Sequence, residues 1–358
     1  MSTERKPPHK VSIEELDGEL IARGAQIPTD QLFDFEDKQG TPERDLIMCQ
    51  VKKLYINAAS IPENEAFKNV ETWDLVRKIA EKARGIAGEP TKGIWGVDDR
   101  KDCYEIGEEK IKRNTGGTAA ICLKDNIIDI GKGLAMPKVI NYGKTFNLCD
   151  IEPFRLQAVV MGRMGTGYLV GEDLIVTAGH CASERNVTNL QFVFDFKMVG
   201  PRETATIPLD NIYSGVRIVD RVKSRKKYGI DWAVVQLDRK VKNRQPVTLS
   251  KNDISCGQSV YIIGHPCGLP MKYAPGAAVR RLETSYFSAD LDVYSCNSGS
   301  PVFDSDTHEV IGMVVYGDSS DFRWTGRGWL SIVYPNPTTK SMGAECTRVS
   351  EFSNAALR

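Results

Sequence analysis

Nothing in this chain of 358 residues runs apolar for the roughly 18 residues that a membrane-spanning helix needs, and such a helix is excluded. Net charge of one sign is also missing. Lys and Arg number 47 and Asp and Glu number 47, so no global field draws the chain to nucleic acid or to an anionic membrane. The N-terminus has basic residues but no apolar stretch behind them, and does not read as a secretory signal. The 9 cysteines include no C-x-x-C pair and no metal-ligand spacing, and no acidic run has the spacing of a calcium loop. Neither a metal nor an organic cofactor is expected. An odd number of thiols without a leader points to a reducing compartment, the cytoplasm, with most thiols free; a bridge such as Cys149 to Cys346 is the alternative. Histidine is scarce as well, at 4.

What is present changes character along the chain. Ser12-Ile-Glu-Glu15 is a capping box leading into Leu16, Leu20 and Ile21. Thr41-Pro42 supplies a cap and a proline at the first helical position. Val70, Trp73, Val76, Ile79, Ala80 and Ala83 fall on one helical face that Gly85 closes. Residues 1–92 therefore read as a small helical module, and the glycine- and proline-rich stretch 85–96 as a linker. From about Ile94 the pattern turns to short apolar strands punctuated by Gly, Pro and Asn. Examples are Gly167-Tyr-Leu-Val170, Leu190-Gln-Phe-Val-Phe194, Val216-Arg-Ile-Val219, Ser259-Val-Tyr-Ile-Ile263 and Val310-Ile-Gly-Met-Val-Val315. Many short strands at this spacing predict a mainly β sandwich or barrel domain over 93–358. The basic cluster Lys223-Ser-Arg-Lys-Lys227 reads as a solvated loop tip, with an exosite for acidic segments as the sharper alternative.

Three motifs carry chemistry. Thr177-Ala-Gly-His-Cys181 ends the apolar run Leu174-Ile-Val, Asp231-Trp-Ala-Val-Val-Gln-Leu237 opens a buried-looking strand, and Tyr294-Ser-Cys-Asn-Ser-Gly-Ser-Pro301 precedes another. A serine hydroxyl needs a base to take its proton as it attacks, and histidine suits that task near neutral pH. A carboxylate then holds the imidazole in one tautomer and stabilises its charged form. His180 is the candidate base, Asp231 the orienting carboxylate and Ser298 the nucleophile. Each motif alone has a bland structural reading; the three in order are strong together. Of the other histidines, His9 lies in a polar tail, His265 in Gly-His-Pro and His308 in a turn.

That order and those flanks resemble the trypsin-like serine peptidases. Gly165-Thr-Gly-Tyr-Leu-Val-Gly171 is similar to the family's strand before the histidine. Gly264-His-Pro-Cys-Gly-Leu-Pro270 and the stretch from Val302 to Gly312 resemble the bacterial branch related to the glutamyl endopeptidases, as does Trp95-Gly-Val-Asp-Asp-Arg100. The likeness spans roughly 95–350 and leaves out the N-terminal module. It implies two β-barrels of the chymotrypsin type, with His180 and Asp231 on the first and Ser298 on the second. It implies a serine endopeptidase acting on polypeptides through an acyl-enzyme, with the backbone N–H groups of Cys296 and Ser298 as the oxyanion hole. Asp292, at the spacing of the acidic base of a trypsin specificity pocket, implies cleavage after Arg or Lys, with Tyr316 and Gly317 as a pocket wall. Asp292 and its neighbour Asp290 have an equal alternative reading as structural hydrogen-bond acceptors.

Departures from the family pattern matter too. Cys296 stands where the family has glycine, and a side chain there resists conformations that glycine adopts. Cys181 lacks its usual half-cystine partner, because that position is Gly165. Asn297 replaces the aspartate that captures a freed N-terminus in animal trypsins, which disfavours that mode of activation. Cys296 motivates a second reading, a catalytically silent homologue that binds peptides or partners. The helical module is expected to be a pro-segment, or an adaptor for an activating or inhibitory protein.

Overall fold

The computed structural model describes residues 93–95, 98–223, 230–316, 321–324, 328–334 and 343–356. The helical module expected over 1–92, residues 224–227 of the basic cluster and Gly317 lie outside the described residues. The chain divides into two compact units. Of the smaller one (1–88 and Phe322–Leu330), the described part is the paired strands Phe322–Trp324 and Trp329–Ser331, the latter ending at the unit boundary. The larger, Glu89–Asp321 with Ser331–Arg358, is mainly β.

Its framework is two closed barrels. The first contains β1 (Thr118–Leu123), β2 (Arg163–Leu169), β3 (Leu174–Thr177), β4 (Leu190–Phe194), β5 (Ile212–Lys223) and β6 (Asp231–Leu237). Their order around the ring is β1-β2-β3-β6-β5-β4, with β4 returning to β1. The second contains β7 (Ser259–Gly264), β8 (Lys272–Leu282), β9 (Tyr286–Ala289), β10 (Pro301–Asp304), β11 (Val310–Tyr316) and β12 (Ala344–Arg348). Here the order is β7-β8-β9-β12-β11-β10, closed by the β7–β10 pairing. The two barrels thus have one connectivity, although the sequence shows no internal repeat. Each expected strand quoted above lies in one of these elements or overlaps it.

The strands look continuously apolar, rather than alternating, because both of their faces are buried. Successive side chains on a strand point to opposite faces. In the first barrel Leu169, Ile175, Ala233 and Val235 fill the interior. Their neighbours Tyr168, Val176, Trp232 and Val234 instead join a core shared with the second barrel. The second barrel repeats the division: Val260, Ile262, Val302 and Val314 face inward, while Tyr261, Ile263, Phe303 and Val315 enter the shared core. One sheet face thus closes each barrel and the other joins them.

Helix α1 (Glu109–Gly116) packs Ile111 into the shared core and spans to the second barrel through Asn114, whose Nδ2 donates to Tyr261 Oη (3.0 Å) and to His308 O (3.0 Å). Ile94–Trp95, at the end of the stretch read as a linker, forms a short strand parallel to Val333–Tyr334. The segment Lys101–Asp102 pairs with the start of β8 and is pinned by a buried ion pair. Lys272 Nζ lies 2.5 Å from Asp102 Oδ1 and also donates to Gln157 Oε1 (2.8 Å) and Pro270 O (2.9 Å), while Gln157 Nε2 donates to the other Asp102 oxygen at 2.7 Å. Burial lowers the Lys272 pKa to about 8 against the pull of Asp102. Among the described residues no helix is long and apolar enough to cross a membrane.

Candidate active site

The end of β3 and the start of β6 bring the histidine and aspartate together. β6 is paired with β3, so a residue just past Thr177 and a residue at the head of β6 share one rim of the barrel. His180 Nδ1 lies 2.6 Å from Asp231 Oδ2. Gly179 is needed for that approach. A Cβ there would sit 2.7 Å from Asp231 Oδ1, 2.7 Å from Val222 O and 2.9 Å from Trp232 O. The Gly179 carbonyl is held by Arg221 Nε at 2.7 Å. From the second barrel, Thr347 Oγ1 lies 3.4 Å from both the N and the O of Asp231. Burial disfavours the charged imidazole. The Cys181 sulfur and the Asp231 carboxylate act the other way, and the His180 pKa lies above its ordinary value. The side chain remains about a third open to solvent, at 34%.

Ser298 lies in the turn before β10, on the second barrel. Its carbonyl accepts from Thr166 N–H of the first barrel at 2.9 Å, and Cys181 Sγ lies 4.0 Å from the same oxygen. The serine therefore stands beside the residue that follows His180. No hydrogen bond between the Ser298 hydroxyl and His180 is formed among the described residues. Gly299, with φ +88°, admits no side chain because Thr166 O and Thr177 Oγ1 occupy the space.

The turn before the serine has a defined shape. Asn297 N–H donates to Tyr294 O at 3.1 Å, and Cys296, the third residue of that turn, has φ +72°. This is a type II turn, which ordinarily carries glycine at the position Cys296 fills. The cysteine adopts the backbone that a glycine would. Every carbonyl from residue 294 to residue 298 is engaged. Tyr294 O accepts from Asn297 N–H, Ser295 O from Cys267 N–H (2.6 Å), Cys296 O from Thr166 Oγ1 (3.1 Å), Asn297 O from Ser300 N–H (2.8 Å) and Ser298 O from Thr166 N–H. The Asp321 carboxylate takes the Ser295 N–H at 3.0 Å. Asn297 is buried beneath the turn, where its Oδ1 accepts from Ser300 Oγ at 3.2 Å.

Asp292 is buried and accepts the Trp95 N–H at 2.7 Å through Oδ1. Burial pushes its carboxyl up to about 8, against that hydrogen bond and the Arg100 charge, and no cation pairs with it among the described residues. Asp290 is occupied elsewhere, by Arg280 and by the Ala278 N–H at 2.6 Å. The backbone of Tyr316 ends β11.

Two of the remaining histidines, His265 and His308, are held structurally. His265 is buried, its Nδ1 faces Leu269 O at 3.0 Å, and burial lowers its pKa to about 4. His308 lies 3.0 Å from Glu108 and 3.1 Å from Tyr261 Oη. His9 lies outside the described residues. Position 165, read as the place of a missing half-cystine, does face Cys181: a Cβ there would lie 2.8 Å from the Cys181 sulfur. Cys346 is a free thiol, as are Cys103, Cys122, Cys181 and Cys256, so the alternative bridge from Cys149 to Cys346 does not form. Sequence reasoning missed Thr166 and Asp321, which anchor the serine turn. The only local signal for Thr166 is its place between two glycines, and Asp321 has none.

The sequence profile of the trypsin-like peptidase domain matches residues 165–313. Among solved structures, a glutamyl endopeptidase is 15% identical, with 74% of this chain and 98% of that one covered and a TM-score of 0.43. An inactivated protease paralogue of the scabies mite is 12% identical, with 72% and 95% covered and a TM-score of 0.43. The VesB protease of Vibrio cholerae is 11% identical, with 72% and 66% covered and a TM-score of 0.41.

Proposed function

We propose that this chain, whose residues 165–313 match the trypsin-like peptidase domain, is a serine peptidase that cleaves polypeptides through an acyl-enzyme formed on Ser298. His180 takes the hydroxyl proton as Ser298 attacks the scissile carbonyl, then returns it to the leaving amine. Asp231 fixes the tautomer in which Nδ1 carries hydrogen, which turns the lone pair of Nε2 toward the serine, and it stabilises the imidazolium formed on proton transfer. The observation that carries this reading is the 2.6 Å contact between His180 Nδ1 and Asp231 Oδ2. The engaged carbonyls of residues 294–298 support the second half of it. With those oxygens tied to partners, the N–H groups of Cys296 and Ser298 are the donors for the negative charge that develops on the substrate oxygen.

Cleavage after Arg or Lys is the specificity that Asp292 supports. A buried carboxylate with a raised pKa and no paired cation gains from a guanidinium or ammonium group brought by the substrate. The silent-homologue reading rests on Cys296 in place of glycine and makes the opposite prediction about turnover. Digestion of an unstructured protein, followed by mass spectrometry of the new C-termini, tests all of this. The account expects fragments ending in Arg or Lys, none of them made by Ser298→Ala, and loss of that preference in Asp292→Ser. Fragments made equally by Ser298→Ala would remove Ser298 from the mechanism, and an inert wild type would favour a binding role.

A further inference from the structure

We infer that Thr166 is a positioning residue of the peptidase reaction, holding the turn before Ser298 in the left-handed conformation that Cys296 would otherwise leave. The inference rests on the reading of Ser298 as nucleophile. Thr166 lies on β2 of the first barrel and is fully buried. Four hydrogen bonds meet on it. Its N–H donates to Ser298 O at 2.9 Å, and its hydroxyl donates to Cys296 O at 3.1 Å. The same hydroxyl accepts the His265 N–H at 3.1 Å, and its carbonyl accepts from Thr177 Oγ1 at 2.7 Å. One residue thereby grips the turn on both sides of Asn297. It is tied in turn to Thr177, at the end of the strand that leads to His180.

The hydroxyl matters because of what it holds. A hydroxyl has one donor and two acceptor sites, so a single oxygen can take the His265 N–H and still give its proton to Cys296 O. A non-glycine residue at φ +72° relaxes toward negative φ unless its flanking peptides are fixed. Relaxation would rotate the Ser295–Cys296 peptide, whose N–H is one of the two proposed oxyanion donors. Thr166 fixes the peptide on the other side of Cys296 and so offsets the missing glycine.

The test compares Thr166→Val, Thr166→Ser and Thr166→Val combined with Cys296→Gly in the full chain, by amide exchange over residues 294–300 and by steady-state kinetics. Thr166→Val is expected to speed exchange of the Asn297 amide tenfold or more. It is expected to lower kcat by about 10–100-fold while KM stays within about twofold, the signature of a weakened oxyanion hole. Thr166→Ser retains the hydroxyl and is expected to retain both properties. Glycine accepts positive φ without a Cβ penalty, so Cys296→Gly is expected to recover most of the kcat lost in Thr166→Val. Unchanged exchange in Thr166→Val, equal losses in Thr166→Ser, or no recovery with Cys296→Gly would each overturn the assignment. Should Thr166→Val fail to fold, Thr166→Ala removes the same hydroxyl and carries the comparison. An inert wild type would count against the peptidase reading alone, and exchange would then decide the role of Thr166.

Discussion

Replacing Gly179 by alanine adds one methyl group where the account leaves no room for it. That Cβ would meet Val222 O and Asp231 Oδ1 at 2.7 Å and Trp232 O at 2.9 Å, all closer than the 3.0 Å that Cβ contacts essentially never breach. Val222 and Trp232 are partners across the β5–β6 ladder, so their carbonyls cannot recede without opening the barrel rim. What moves is the short segment carrying His180, or the Asp231 carboxylate, and either motion lengthens the 2.6 Å bond between them. Overpacking of this kind costs about 1–3 kcal/mol of stability. At roughly 2–4 °C per kcal/mol for a domain of this size, the melting temperature falls by about 2–12 °C. A misplacement near 1 Å costs on the order of 100-fold in rate, so kcat should fall far more than the modest stability loss explains. Gly107→Ala is the control, because nothing lies within 4 Å of a Cβ there. Peptide hydrolysis and thermal unfolding of the two variants decide the matter. Gly179→Ala with kcat within twofold of wild type would refute the steric account of the His180–Asp231 pair.

Cys296→Gly is expected to melt higher than Cys296→Ala. Left-handed backbone costs an L-residue about 1–2 kcal/mol, and the extra freedom of unfolded glycine returns about 0.5–1 of it. An equal or lower melting temperature for the glycine variant would mean that the turn carries no such strain. The raised His180 pKa has a sign: the base must be neutral, so kcat/KM should climb with pH beyond the ordinary histidine value near 6.5. The same group stabilises the fold fully below about pH 6.5 and loses that contribution as pH rises through the folded-state pKa. A rate profile already flat at pH 6.5 would contradict this. Lys272→Met leaves Asp102 buried and unpaired, and should destabilise the protein by about 3–5 kcal/mol in chemical denaturation. A loss under about 1 kcal/mol would mean that Asp102 is protonated or solvated once Lys272 is gone.

The parts of this fold legible in the sequence are those in which local chemistry repeats a rule. The strand ends carrying His180 and Asp231 are legible as short motifs beside apolar runs, whereas the need for glycine at 179 shows only in the structure. The two-barrel architecture was legible through the family resemblance, whereas the identical connectivity of the barrels was not. Pairing order depends on contacts between distant segments, and Val260 and Ile175 reach equivalent interiors without any shared sequence. Cys296 reads in the sequence as a departure from the glycine that the family resemblance implies. Its conformation was hidden because the groups that hold it are Thr166 and Cys267, far away in the chain. A buried pair such as Lys272 and Asp102 was likewise illegible, since each residue alone reads as an ordinary surface charge. Asp292 kept both of its readings, as pocket base and as hydrogen-bond acceptor, because spacing alone cannot say whether a carboxylate faces substrate or backbone.

The central claim is that Ser298 is an activated nucleophile beside a formed oxyanion hole. Covalent labelling of the purified protein with a fluorophosphonate, with the adduct located by peptide mass spectrometry, tests it most directly. The account predicts a single adduct on Ser298, absent from Ser298→Ala and strongly slowed in His180→Ala. A well-folded wild type that takes no label, or takes it at another residue, would contradict it.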